Sequence, residues 1–421
     1  VASQKYQQWS VLGASTFAFT VCFAIWMMFA VIGIPIKKML DLNETQFGLL
    51  AATPVLTGSL VRLPLGMWTD RYGGRMVFLV LMLTCVAPIW FIGEATQYWH
   101  FLVLGLFVGL AGGSFSVGIA YVARWFERDR QGLAMGIFGA GNSGAAVTKF
   151  VAPPLMIAFG WAMVPKVYAA AMLATALLFW AFSYTDRNHH VSSSVTIREQ
   201  LSPLRDPRVW KYCQYYSIVF GGYVALSLWM TKYYITEYGF DIRIAALLAA
   251  CFSLPGGVLR AVGGWLTDRF GAHPVTWWVM LFSWVCLFFL SIPQTDLVVK
   301  TTHGNVAIHV GLNVWVFTAV MFAMGISWAV GKASVFKYIS DEYSHNIGVI
   351  SGIVGLAGGM GGFLLPIMFG ALVDLTGVNS TIFMLMWGVT TVSLTWMYWT
   401  EIVPARNGRV ESAPAMASQR G

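Results

Sequence analysis

The chain has 421 residues, 57% of them hydrophobic and 10% charged, where soluble domains carry roughly 25% charged residues. A water-soluble fold of this length cannot hide so much apolar surface, so the net charge of +8 reads as basic loops beside a bilayer and not as a nucleic-acid-binding face. The five cysteines (Cys22, Cys85, Cys213, Cys251 and Cys286) lie inside apolar segments, show no metal-ligand spacing and read as helix-packing residues.

Twelve apolar segments follow in chain order, near 9–34, 46–67, 76–95, 99–123, 132–158, 162–184, 210–235, 243–266, 274–292, 310–337, 347–372 and 378–400. A predominantly apolar run of about 18 residues or more spans a bilayer. Backbone inside the bilayer must satisfy its own hydrogen bonds, so these spans are expected to be helices. The alternation of a membrane β-barrel is absent, and no signal-peptide pattern precedes the first span. The one long internal polar stretch begins at Thr185 and ends at Arg208. The expected fold class is an all-α membrane protein of twelve transmembrane helices in two pseudo-symmetric six-helix halves, 1–184 and 209–400. A cytoplasmic linker at 185–208 joins them, and a disordered cytoplasmic tail is expected at 401–421. Arg71, Arg75, Arg124, Arg187, Arg205 and Arg269 crowd one set of loops, while Lys37, Lys38, Lys166, Lys232, Arg243 and Lys300 are spread over the other. Positive residues stay inside, which places both termini in the cytoplasm.

The acidic residues all fall in loops or at span ends. The basic residues do not: Arg62, Arg260, Lys149 and Lys332 sit well inside apolar spans. Such a charge costs about 2.5–3.5 kcal/mol on the insertion scale. Arg62 precedes Asp70 by eight residues and Arg260 precedes Asp268 by eight. At ~1.5 Å per residue, that places both roughly 12 Å from the loop, near the midplane of a core about 30 Å thick. Snorkelling or pairing with helix carbonyls accounts for one such arginine more easily than for two at equivalent depth. With no acid at that level, the expected partner is a small planar oxyanion, which fits the flat donor fork of a guanidinium.

The two parts of the chain repeat. Gly66, Asp70, Arg71 and Gly73 follow Arg62 at the same offsets at which Gly264, Asp268, Arg269 and Gly271 follow Arg260. Gly132, Gly136 and Gly139 correspond to Gly348, Gly352 and Gly355. Internal repeats of this kind mark secondary transporters with a site near the midplane. The loop Gly66-Met-Trp-Thr-Asp70-Arg71-Tyr-Gly73-Gly-Arg75 resembles the motif between the second and third helices of the major facilitator superfamily, where its role is a gate. The runs Gly139-Ala-Gly141-Asn142-Ser-Gly144 and Gly352-Ile-Val-Gly355-Leu-Ala-Gly358-Gly359 are similar to the paired signatures of the nitrate/nitrite porter (NarK-type) family.

That resemblance implies nitrate binding by Arg62 and Arg260, with Asn142, Phe115, Tyr216 and Phe220 around the anion. Helix packing is the ordinary alternative for the two phenylalanines, whereas the Tyr216 hydroxyl needs a partner. Lys149 and Lys332 depart from the exchanger pattern. Lysine in a dry cavity can exchange its proton, so they are the expected coupling residues of a nitrate/proton symporter, while Lys337 is expected to be an end charge. The histidines lie in loops or at span ends. The expected partners are nitrate, with nitrite as a second candidate, protons and the lipid bilayer. No nucleic acid and no cofactor are expected, and the protein is expected to be a monomer in a bacterial-type inner membrane. Nitrate/nitrite exchange and organic-anion transport stand as alternatives. No catalytic cluster is visible for an enzyme, and no Gly-x-x-x-x-Gly-Lys-Ser/Thr run exists for ATP.

Overall fold

The computed structural model describes residues 4–185, 202–343 and 347–403, without the side chains of 128–129, 131–132 and 347–349. Most of the expected linker and nearly all of the expected tail lie outside the described residues. Helix occupies every one of the twelve expected positions, though six of them are not single straight helices.

The first position holds α1 (Gln4–Trp26) and α2 (Phe29–Met39), and the second holds α3 (Glu44–Leu60) and α4 (Arg62–Tyr72). After α5 (Gly74–Ile92), the fourth position runs from α6 (Tyr98–Gly109) into α7 (Ser114–Ala123), and the fifth from α8 (Arg128–Gly139) into α9 (Gly144–Phe159). Then come α10 (Met163–Phe182), α11 (Pro207–Tyr216) leading into α12 (Tyr223–Tyr238), and α13 (Ile242–Val258) leading into α14 (Arg260–Phe270). The chain closes with α15 (Ala272–Leu290), α16 (Val314–Glu342), α17 (Ile347–Thr376) and α18 (Thr381–Met397). By length and hydropathy, eight of the described helices can cross a membrane, or ten if each bent pair counts as one span.

The irregularities have local causes. Pro64 has no N–H to give Leu60, and the chain bends by 41° between α3 and α4. Pro255, Gly256 and Gly257 precede a 48° bend between α13 and α14. Glycine-rich runs carry 3₁₀ turns at Leu110–Gly113 and Ala140–Ser143, and a π-helical segment occupies Ser217–Gly222.

The two parts of the chain meet through small residues. A side chain at Gly48 would run into the carbonyl of Pro366, and one at Gly370 into that of Glu44. One at Gly359 would run into Ser59, so α17 lies hard against α3. Gly257 makes the same close approach to Ser143. At the end opposite the termini, this seam carries charge. Lys232 pairs with Glu44 at 2.5 Å and Lys37 pairs with Glu44 at 3.4 Å. Asp374 accepts from the backbone N–H groups of Glu44 (3.0 Å) and Thr45 (2.8 Å) and from the Thr45 hydroxyl (2.6 Å), which caps α3 from the other half of the chain.

A feature not expected from sequence is the antiparallel hairpin of β1 (Thr295–Thr301) and β2 (Gly304–Val310), registered from Thr295↔Val310 to Thr301↔Gly304. Its residues are almost all exposed, and it stands outside the helical bundle in what reads from sequence as a plain loop.

Candidate functional site

Both core arginines come directly after a bend: Arg62 is the first residue of α4 and Arg260 the first of α14. They are 5% and 9% exposed, so both are almost wholly buried. Their guanidinium carbons lie 5.4 Å and 5.5 Å from one ring, that of Phe115, which follows the 3₁₀ turn of the fourth position.

Six side chains close a ring from these contacts. Phe220 lies 5.1 Å from the Arg62 guanidinium and stacks on Tyr216 with centroids 5.1 Å apart and 7° between planes. Tyr216 meets Phe336 edge-on at 5.1 Å, and Phe336 lies 5.3 Å from the Arg260 guanidinium. Phe115 joins the two arginines and completes the circuit. Cation–π contact of this kind is worth about 0.5–2 kcal/mol each, which offsets part of the cost of burying the charges.

The polar atoms around the ring are incompletely satisfied. Arg62 Nη1 donates to the Gly355 carbonyl at 3.1 Å, the carbonyl pairing that sequence leaves open as the ordinary reading. Arg62 Nε and Arg260 Nη1 are nonetheless buried without a hydrogen-bond partner, and so are the Tyr216 hydroxyl and both side-chain polar atoms of Asn142. Buried polar groups are nearly always paired. Arg62 Nε, Arg260 Nη1, the Tyr216 hydroxyl and Asn142 Nδ2 are donors that an anion's oxygens would satisfy, whereas Asn142 Oδ1 accepts and would need a donor. Asn142 lies in the 3₁₀ turn Ala140–Ser143, one turn beyond Gly139, where an added side chain would sit 3.2 Å from Arg260 Cδ.

Lys149 and Lys332 are fully buried but stand outside the ring. Lys149 Nζ donates to Ser253 Oγ, and Lys332 Nζ donates to the Gly256 carbonyl at 2.6 Å while lying 3.5 Å over the Tyr223 ring. The repeated loop residues form matched contacts. Asp70 pairs with Arg124 and Asp268 with Lys337 (3.6 Å), which also pairs with Asp341 at 3.1 Å. Gly73 and Gly271 adopt φ of 86° and 88°, the left-handed region that favours glycine. Arg75 donates to Trp180 O (2.7 Å) and Ser183 Oγ (3.1 Å), and Arg71 and Arg269 lie over neighbouring aromatic rings. Gly66 and Gly264 face open space.

Sequence reasoning did not single out Phe336, Trp26 or Tyr223. Phe336 is four residues from Lys332 and so on its helix face, which is the one signal that pointed to it. Trp26, 6.0 Å from the Arg62 guanidinium, has no such marker. An apolar groove lined by Val61, Trp68, Met76 and Val80 excludes both arginines and offers an anion almost no polar group.

The Major Facilitator Superfamily model matches residues 14–366. A Thermus thermophilus protein named probable nitrate/nitrite antiporter NarK1 is 38% identical over 403 residues, covering 93% of this chain and 91% of its own. The chain belongs to the nitrate/nitrite porter family of the major facilitator superfamily. It is a multi-pass membrane transporter and not an enzyme. Other porter relatives include the nitrite extrusion protein of Bacillus subtilis, 28% identical over 90% of this chain and 92% of its own. The probable nitrate transporter NarT of Staphylococcus haemolyticus is also 28% identical, over 89% and 92%. The fold matches a crystal structure of a bacterial homolog of the human lysosomal transporter Spinster, inward-facing and occupied, with TM-score 0.71 and 15% identity over 94% of this chain and 97% of that one.

Proposed function

We propose that this porter imports nitrate across a bacterial inner membrane together with protons. Arg62 and Arg260 grip the anion, Asn142 and Tyr216 complete its hydrogen bonds, and Phe115 and Phe220 wall it. The observation that carries the reading is the pair of buried guanidiniums converging on Phe115 with donors left unpaired. In this reading the halves 1–184 and 209–400 rock about the site in a monomer with cytoplasmic termini. The Gly66–Arg75 and Gly264–Gly271 loops gate the cytoplasmic side, and Lys149 and Lys332 are the candidates for the coupled proton.

A second reading, nitrate/nitrite exchange, is favoured by the printed name of the Thermus thermophilus relative. Proteoliposomes separate the two. Nitrate accumulation driven by an imposed pH gradient, with no nitrite inside, supports symport. Strict dependence on internal nitrite rules symport out.

A further inference from the structure

The symport reading leaves open which lysine carries the proton and how the proton reaches the moving parts. We infer that Lys149 carries it, by making a protonation-dependent tie between the two halves of the chain. The inference rests on the symport reading.

The geometry separates the two lysines. Both bonding partners of Lys332, the Gly256 carbonyl and the Tyr223 ring, belong to its own half of the chain. The Lys149 bond runs from α9 to Ser253 on α13, across the seam where Gly257 meets Ser143. Ser253 Oγ also lies 3.2 Å from Ser227 Oγ. The Tyr223 hydroxyl sits between the carbonyls of Ser253 (2.7 Å) and Asn142 (3.3 Å), so it spans the same seam and touches the residue placed at the anion. Rigid rocking of the halves must break both contacts.

Depth fits the order of events. Ser253 precedes Arg260 by seven residues and Lys149 follows Asn142 by seven. At ~1.5 Å per residue, the tie lies roughly 10 Å from the anion ring, toward the end opposite the termini. A proton arriving from that end meets Lys149 before the anion meets the arginines.

The ionisable groups facing Lys149 are few. On α10, Tyr168 bonds the neighbouring Thr148 at 2.8 Å. On α12 there is Tyr223, and beyond it lie Lys332 on α16 and Arg260 on α14. The α1 face presents Phe19, Thr20, Phe23 and Ala24 to this stretch, and α2 is apolar as far as Ile36.

Lysine can exist as amine or ammonium, whereas arginine stays charged. In the proposed step, a hydronium ion transfers its proton to the Lys149 amine and leaves as water. The ammonium donates to Ser253 Oγ and adds one positive charge roughly 10 Å from the anion ring. Facing the other side, the ammonium returns the proton to water and the tie loosens. One proton per nitrate makes the cycle electroneutral, so one unit of pH difference supports about tenfold accumulation.

The test uses the full chain in proteoliposomes, with labelled nitrate and an inside-alkaline gradient. The wild type is expected to accumulate nitrate, and Lys149→Gln to lose that accumulation and the pH dependence of its initial rate. Lys332→Gln is expected to keep the pH dependence. Lys149→Arg, permanently charged, is expected to be as insensitive to pH as Lys149→Gln, which guards against a glutamine variant that merely misfolds. Ser253→Ala, which removes the acceptor and keeps the amine, is expected to lower accumulation at equal gradient. Wild-type accumulation matched by both Lys149 variants overturns the assignment and leaves symport standing. Loss of pH dependence in Lys332→Gln alone does the same. A wild type that does not respond to the gradient overturns symport, and this inference with it.

Discussion

Arg62 and Arg260, 198 positions apart in the chain, hold their guanidinium carbons at almost equal distances, 5.4 Å and 5.5 Å, from the ring of Phe115. Like charges do not converge on one phenyl ring without something to hold them. The ring of Phe220, Tyr216 and Phe336 does part of that work, and an anion between the guanidiniums would do the rest.

Arg62→Lys and Arg260→Lys each replace a planar fork with a point charge. Losing one charge-assisted hydrogen bond costs about 1.5–3 kcal/mol. Nitrate uptake is expected to fall about 100-fold in either variant, with the folded protein retained in detergent. Uptake at the wild-type rate in either one would refute the site.

Phe115→Leu keeps the bulk of the side chain and removes the π face that both guanidiniums share. With about 0.5–2 kcal/mol at stake per cation–π contact, the KM for nitrate should rise about tenfold while the melting temperature moves little. A KM unchanged from wild type would show that Phe115 only fills space.

Gly48→Ala places a methyl group against the Pro366 carbonyl, which is backbone and cannot swing away. Overpacking of this kind costs about 1–3 kcal/mol. A lowered melting temperature is expected, together with impaired transport. A melting temperature equal to wild type would mean that α3 and α17 part easily at this level.

Glu44→Gln leaves Lys232, which is 3% exposed, without its ion-pair partner. Breaking a buried pair costs about 3–5 kcal/mol, and the partial exposure of Glu44 reduces that to about 1–3. The end opposite the termini should open more often. A cysteine introduced by Phe47→Cys, at a position now fully buried, should react faster with a water-soluble maleimide in the Glu44→Gln background. Equal reaction rates in the two backgrounds would exclude Glu44 from the seal.

What the sequence made legible was whatever stood out against an apolar background. Arg62, Arg260, Lys149 and Lys332 are cations inside spans, and the Gly/Asp/Arg offsets recur. Phe336 and Trp26 did not stand out, because phenylalanine and tryptophan together fill 48 positions of this chain (29 and 19) and one more aromatic ring carries no contrast. The hairpin was missed because a polar connection between spans reads as loop whether or not its strands pair. The bends at Val61 and Leu259 were only half visible. Pro64 and Pro255 mark where a hydrogen bond is lost, but the direction of the bend depends on what packs against it.

Five helical positions contribute to the anion ring or its immediate border through an irregular stretch: two bends, two 3₁₀ turns and one π segment. The ring therefore sits where the backbone is least like a rod, in a molecule otherwise made of rods. Engineering for durability would begin by replacing the glycines of those stretches with good helix formers, and it would be working against the joints. A version of this carrier made sturdy in that way should keep its shape longer and turn over more slowly, because stiffness and passage are being asked of the same few peptide units.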